Sequence, residues 1–446
     1  MKFIRTIRDI FSIEELRTRI LFTLGILIVF RVGSFIIIPG VEYGAVAASR
    51  GEAEGILGVL DSLLGQAFSG KSIFALGIMP YISASIVVQL LGVAVPYFQK
   101  LQKDGESGRN KMNQITRFLT IAICLVQGIG YNQLTIADNF LTAGVNPVFF
   151  QVYATLILIA GTMFCVWLGE KITEKGVGNG VSLLIMVGIV SRFIPSIYGE
   201  VTTIFADGGP VLILLEMVAW VGIIMGIILI TQAVRQVPLS YAKQMINNKV
   251  YGGQRNYLPL KVNTAGVMPI IFAQALMFVP GFVFEKVADG GSSEFLTSVA
   301  NAYRDPTTWT YSITMAILIL IFTYFYTAIT IHPNQIADDL KRQGGFIPGV
   351  KPGQPTADYI DEILSKITLP GAIFIAVVAI LPAFARMIIE GSVFAEFFGG
   401  TSLLILVGVV LDTAQQIDSY LLMRKYDGLM KSGKVKGRAQ DMPALS

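Results

Sequence analysis

Apolar residues in this chain arrive in long blocks separated by short polar stretches. Ten such blocks stand near 19–38, 73–97, 117–136, 148–170, 181–199, 211–234, 264–285, 308–330, 368–388 and 400–422. A hydrocarbon core roughly 30 Å thick takes about 20 apolar residues of helix to cross, and each block approaches that length. The alternating pattern of an outer-membrane barrel strand does not occur. The pattern therefore predicts an all-α polytopic membrane protein with ten transmembrane helices.

Composition agrees. Of 446 residues 53% are hydrophobic and 14% charged, against about 25% charged in a soluble protein. Charge then sets orientation, because Lys and Arg in short loops mark the cytoplasmic side. Lys2, Arg5, Arg8, Arg17 and Arg19 precede or open the first block, and Lys100, Lys103, Arg109, Lys111 and Arg117 follow the second. Lys171 and Lys175 follow the fourth, and the stretches 235–262, 331–367 and the tail are also basic. The loops near 137–147 and 199–210 hold no Lys or Arg. This alternation predicts cytoplasmic N- and C-termini. It divides the chain into an N-terminal segment 1–18, a half 19–200, a half 201–422 and a tail 423–446.

The N-terminus does not read as a cleaved signal. Ile4, Ile7 and Phe11 recur at helical spacing beside Arg5, Arg8 and Asp9, as in an interfacial amphipathic helix or a basic flank that fixes topology. Cys124 and Cys165 fall inside predicted spans and read as packing residues.

The chain also repeats itself. "GIMPYISASI" at 77–86 is echoed by "GVMPIIFAQA" at 266–275, and "SLLIMVGIV" at 182–190 by "SLLILVGVV" at 402–410. Both pairs keep their order at separations close to half the chain, which implies a five-plus-five duplication. An odd number of spans per half turns one half over relative to the other, the architecture of inverted repeats around a central pathway. Pro80 and Pro269, lacking an N–H, suit the first turn of a helix. Ile82 and Ile86 are four apart and share a face. Ser83, Ser85, Gln89 and Gln274 give those helices a partly polar circumference, which calls for a protein or watery interior. Ile82, Ile271, Ile185 and Ile405 occupy repeat-related places, consistent with an apolar ring about the pseudo-symmetry axis or with ordinary packing.

Motifs suggesting chemistry are weak. "GQAFSGKS", Gly65 to Ser72, matches a phosphate-loop pattern, and "LILVGVVLD" ending in Asp412 imitates its acidic partner. The motif needs a strand before it and a helix after it, and the charge pattern puts this loop outside, so an ATPase is disfavoured. "EKGVGNG" at 174–180 reads as a flexible entry turn rather than a carbonyl filter. Arg31, Glu216 and Asp412 are the ionisable residues noted within spans, and the single histidine, His332, lies at a boundary. No nucleophile–base pair or metal spacing emerges, so no enzyme, metal or cofactor is expected. Two long basic loops, 235–262 and 331–367, suit docking of a cytosolic partner. A secondary solute transporter with inverted repeats is the alternative.

"KSIFALGIMPYISASIVVQLL" at 71–91 and "WLGEKITEKGVGNGVSLLI" at 167–185 resemble the two signature stretches of the SecY family, channel subunits of the bacterial protein translocase. "VFRVGSFIIIPG", "LPLKVNTAGVMPIIFA" and "GGTSLLILVGVVLD" fit the same family in order, over essentially the whole chain. The resemblance implies two five-helix halves, inverted and pseudo-symmetric around a central pore, in the bacterial cytoplasmic (inner) membrane. It implies a pore ring of Ile82, Ile86, Ile185, Ile271 and Ile405, and a plug at about 57–70 including Leu57, Leu60, Leu63, Leu64, Phe68 and Gly70. A lateral gate would form between the second and seventh spans, with Pro80, Ser85, Gln89, Gln127, Pro269 and Gln274. Lys243, Lys249, Arg255, Lys341, Arg342 and Lys351 would dock cytosolic partners. The implied partners are the small subunits SecE and SecG, the motor SecA, the ribosome, signal-peptide-bearing precursors, YidC, SecDF and the lipid bilayer. Lys351 stands where many relatives carry Arg, which removes a bidentate contact, and "QMINNKVYGG" is less basic than in many relatives.

Overall fold

The computed structural model describes residues 13–49, 61, 64–136, 140–142, 145–207, 210–241, 244–246, 249–251, 255–277, 308–388 and 400–431. The N-terminal segment through Phe11 lies outside them. Helix α1 spans Glu14–Gly33 and α2 Tyr43–Ser49; α3 is Met79–Ala94, α4 Pro96–Lys103, α5 Gly105–Thr135, α6 Pro147–Lys175, α7 Gly180–Asp207 and α8 Pro210–Gln232. Strands β1 Val234–Tyr241, β2 Gln244–Ile246, β3 Lys249–Tyr251 and β4 Arg255–Lys261 follow. Then come α9 Met268–Met277, α10 Trp309–Thr330, α11 Pro333–Arg342, β5 Gly345–Phe346, α12 Gln354–Ile388 and α13 Thr401–Lys431.

Among the described residues α5, α6, α10, α12 and α13 contain stretches long and apolar enough to cross a membrane, and α3 with α4 makes a sixth if that bent pair is one span. Shorter apolar helices occur at Gly180–Phe193, Met217–Gln232 and Met268–Met277. The protein is a polytopic helical membrane protein. Each of the ten apolar blocks holds a described helix at least in part.

Three boundaries differ from the sequence reading. The second block does not begin as helix at 73: residues 64–78 form turns, and α3 starts only at Met79. At the other end Val95 is extended (φ −111°, ψ 122°) ahead of Pro96, because a residue before proline is pushed out of the helical region. The α3 and α4 axes consequently meet at 102°. The division placed between 200 and 201 falls inside α7, which runs to Asp207, and α8 starts at Pro210, whose fixed φ suits a helix start.

One buried apolar cluster joins α1, α3, α5, α6, α7, α8, α9, α10, α12 and α13. Lipid tails are as apolar as Leu, so helices hold together here by close packing rather than by avoiding water. Small residues allow it: a Cβ on Gly161 of α6 would collide with the Ile73 carbonyl, and one on Gly180 with the Gly169 carbonyl.

The two long loops are more ordered than plain connections. Strand β1 pairs antiparallel with β4 from Val234↔Lys261 to Ser240↔Arg255, and with β5 at Ser240↔Phe346 and Tyr241↔Gly345. The sheet order is β4-β1-β5, while β2 and β3 pair separately. Val237, Leu239, Leu260, Leu340, Ile347, Ile360 and Leu364 form a second buried cluster beneath it. Helix α12 has 35 residues, about 52 Å at 1.5 Å per residue. Its first half therefore packs in this small module while its second half joins the main cluster.

Ile360 is fully buried in the module. Ile360→Ala is expected to cost about 2–5 kcal/mol of local stability, seen as faster proteolysis of 235–262 and 331–367 with the span region unaffected; equal cleavage rates would show that the two loops do not share a core.

Candidate functional site

The repeated Gly-x-Met-Pro motif has the same local role twice. Gly77 and Gly266 adopt φ +50° and +62°, a left-handed conformation open to glycine at little cost. Two residues later a helix begins, with Pro80 and Pro269 in its first turn. Each glycine thus turns the chain and each proline starts a helix, placing Ile82 and Ile271 at equivalent points of α3 and α9. The second repeat opens α7 and α13, with Ser182 and Ser402, Leu184 and Leu404, and Ile185 and Ile405 all buried.

The five isoleucines singled out above, Ile82, Ile86, Ile185, Ile271 and Ile405, are each no more than 8% exposed and belong to the one main cluster. Leu64, Ala67 and Phe68 join that cluster from the non-helical turn ahead of α3. Leu57, Leu60 and Leu63 lie outside the described residues. Gly70 is buried.

This turn is densely bonded. The buried Asp61 carboxylate accepts hydrogen bonds from the Ser69 N–H (2.8 Å) and hydroxyl (2.9 Å). The Asp61 carbonyl accepts from the Gln66 N–H at 2.9 Å. Arg31 of α1 donates to the Gly65 carbonyl at 2.7 Å and lies 4.7 Å from the Phe35 ring. The Tyr131 hydroxyl of α5 donates to the Phe68 carbonyl at 2.7 Å, with the two rings edge to face at 4.8 Å. Beyond the turn the chain adds to a short extended segment: Ile38 N–H to Lys71 carbonyl, 3.0 Å, and Ile73 N–H to Ile36 carbonyl, 2.9 Å. Gln66 and Lys71 take positive φ without being glycine, a conformation that costs energy unless its surroundings hold it.

The phosphate-loop match is thereby explained away by geometry. Gly65–Ser72 itself lies in turns and leads into further turns at 73–78 rather than into a helix. Lys71 is 4% exposed, with its ammonium 4.0 Å from the Phe140 ring centre, so it does not reach toward a ligand.

The residues named for a gate lie on α3, α5 and α9. Gln89 of α3 donates to the Ser85 hydroxyl at 3.2 Å, and Gln274 of α9 is buried, as is Tyr311 of α10. The side-chain oxygens of Gln89, Gln127 and Gln274 are buried and have no partner among the described residues. Since buried polar atoms are almost always bonded, three orphan amide oxygens on α3, α5 and α9 are unusual.

The Gly-rich turn at 174–180 is pinned, which corrects its reading as a flexible entry turn. The Val177 N–H donates to the Thr23 hydroxyl (3.1 Å), Gly178 to Gln416 Oε1 (3.0 Å), Gly180 to the Thr173 hydroxyl (2.9 Å) and Ser182 to Asn179 Oδ1 (3.2 Å). The turn thereby ties α1, α6, α7 and α13 together. Composition suggested freedom, and the accepting side chains remove it.

Of the docking positions, Lys341, Arg342 and Lys351 are exposed on the sheet module. Lys249 and Arg255 belong to β3 and β4, and Lys243 lies outside the described residues. Nearby, Lys366 bonds the Glu362 carboxylate at 2.6 Å and lowers its pKa; both are exposed, so the pair adds little stability. Thr356 fixes the 347–353 turn by donating to the Lys351 carbonyl at 2.9 Å.

Sequence reasoning missed Asp61, Lys71, Tyr131 and Arg192. Arg192 of α7 lies 3.9 Å from the Asp61 carboxylate. It stands within an apolar block, and an ionisable residue there is a functional signal by default. Aligning the second repeat also puts Arg192 at the place of Asp412, a second signal available from sequence.

Tyr131→Phe removes the donor to the Phe68 carbonyl and is expected to cost about 1–3 kcal/mol, read as faster amide hydrogen exchange across 66–72; unchanged exchange would mean that this bond does not hold the turn.

The comparisons with known proteins come together on one family. A SecY family model matches residues 72–414. The protein translocase subunit SecY of Mycobacterium tuberculosis (strain H37Rv) is 42% identical, with 96% of this chain and 99% of that protein covered. A solved SecY structure concerned with a plug domain that stabilises the closed translocation channel and maintains a membrane seal superposes with a TM-score of 0.61 at 14% identity, covering 96% of this chain and 95% of that one. Sec61 from a canine ribosome–channel complex of the endoplasmic reticulum gives 0.55 at 14% identity and the same coverage.

Proposed function

The chain belongs to the SecY family, and on that premise we propose that it is the protein-conducting channel of the general secretory pathway. In this reading it passes unfolded precursors across the bacterial cytoplasmic membrane and releases membrane helices sideways into lipid. Ten spans form two inverted halves, with both termini in the cytoplasm. The chain catalyses no reaction; the energy comes from partners or the proton gradient.

One observation carries the proposal: isoleucines from both repeats and the turn 64–68 meet in a single buried apolar cluster. A narrow apolar constriction excludes water and ions by dewetting, while Ile side chains can part around a peptide. Ile82, Ile86, Ile185, Ile271 and Ile405 form that ring, and residues about 57–70 form the plug above it. The lateral gate lies between α3 and α9, starting at Pro80 and Pro269 and lined by Ser85, Gln89, Gln127 and Gln274. The orphan oxygens on those glutamines favour this, because a polar seam that can part has groups awaiting new partners.

The sheet module supplies the cytoplasmic docking surface through Lys243, Lys249, Arg255, Lys341, Arg342 and Lys351. Its partners are the SecA motor and the ribosome, the latter supported by the Sec61 likeness. SecE and SecG complete the membrane complex, with YidC and SecDF as accessories and signal-bearing precursors as substrates.

Reconstituted with these subunits and motor, the chain should carry a signal-bearing precursor into vesicles; its failure to do so when relatives succeed would overturn the proposal. Replacing Ile82 and Ile271 together with Asn should raise resting ion conductance in planar bilayers by about tenfold or more, the effect of about 1.4 kcal/mol off a barrier. Wild-type conductance would remove the ring. A disulfide engineered between α3 and α9, with Cys124 and Cys165 replaced by Ser, should stop export until reduced. Unimpeded export by the crosslinked protein would remove the gate.

A further inference from the structure

We infer that Arg192 is a positioning residue for the plug: from α7 it holds the buried carboxylate of Asp61, and through Asp61 the turn 64–70, in the closed channel. The inference rests on the plug reading above and assigns what fastens it.

Asp61 is the hub of the turn. Its side chain is 2% exposed, and its two carboxylate oxygens accept from the backbone and the hydroxyl of Ser69. Those donors are neutral. Among the described residues the cation that forms an ion pair with it is Arg192, 3.9 Å away and 21% exposed. The other cations at this turn address carbonyls, Arg31 that of Gly65 and Lys71 that of Ser69. The contact is also close at the level of the backbone. A Cβ on Gly65 would stand 2.9 Å from the Gly188 Cα, one turn before Arg192, and 2.8 Å from the Ser191 hydroxyl.

The second half has an independent counterpart. Aligned on the repeat, Gly188 corresponds to Gly408 and Arg192 to Asp412. A Cβ on Gly408 would collide with Val267, and the Asp412 carboxylate lies 3.8 Å from where a Cβ on Gly266 would be. In each half, then, the same stretch of the "SLLI" helix presses on the segment leading into the paired-proline helix. In the second half that segment is the short turn 262–267. In the first it is the long turn through 64–78, and the charge meeting it has changed sign to match Asp61.

The pair works as a latch because breaking it is asymmetric. Removing one member of a buried ion pair leaves the other charge uncompensated. Without Arg192, the Asp61 carboxylate is relieved by moving toward water, which carries the turn out of the funnel.

The test compares Arg192→Gln, Arg192→Lys, Asp61→Asn and the double variant R192Q/D61N in the full chain with its partner subunits. Resting ion conductance and transport of a precursor with a defective signal are read together. Both single charge-removing variants should raise the open fraction by about tenfold, equivalent to about 1.4 kcal/mol, and should pass the defective precursor. Arg192→Lys should stay near wild type. The double variant should leak no more than the singles, since coupled residues are not additive. Asp61→Asn retains an acceptor for the Ser69 N–H, so it carries the test if Arg192→Gln does not insert. A tight resting channel in both single variants, a Lys variant as leaky as Gln, or additive leaks would each overturn the latch. A wild-type chain that moves no precursor would overturn the channel reading along with it.

Discussion

Backbone that is neither helix nor closed barrel is tolerated at membrane depth only where protein satisfies its polar groups. Residues 64–78 are non-helical backbone packed in the main apolar cluster, and the structure around them is arranged to meet the same demand. Arg31 and Tyr131 reach in from α1 and α5 to take carbonyls, Asp61 takes an N–H, and the segment at 36–38 pairs with the exit of the turn. As the plug proposed above, such a segment closes without being part of a helix, and it leaves by breaking a handful of local bonds rather than by unwinding a span.

Internal duplication explains how isoleucines from both halves reach the cluster that the turn also joins. One device, a glycine at positive φ followed by a proline-started helix, is used at 77–80 and again at 266–269. Another, the helix opening with "SLLI", follows each. Because the helices start at equivalent points, four isoleucines occupy equivalent places in their helices and reach one buried cluster, and Ile86 follows one turn after Ile82 on the same face. The halves then diverge in length: the turn before α3 runs through 64–78, the segment proposed above as a plug, whereas the turn before α9 stays short.

Much of this was legible in the residues. Block lengths located helices in all ten places, the paired prolines marked two helix starts, and the signature stretches identified the family. What was hidden depends on contacts distant in sequence. No local pattern shows that Arg31 would reach Gly65, 34 positions away, or that Tyr131 would reach Phe68. The Gly-rich turn looked loose because its anchors, Thr23 and Gln416, belong to other helices. The sheet at 234–261 was obscured by its basic residues, which explained the loop as a topology signal. Its alternation of buried Val237 and Leu239 with outward neighbours was the overlooked clue. The early bend before Met79 lay concealed in an apolar run, since hydropathy measures depth and not conformation.

The central claim is that a polypeptide passes through the waist formed by the isoleucines. A photo-crosslinking side chain placed at position 405, in the full complex, reads this directly while a precursor is arrested partway through. The account predicts crosslinks to the arrested chain that vanish when it is released. Crosslinks to lipid alone, unchanged by arrest, would contradict it.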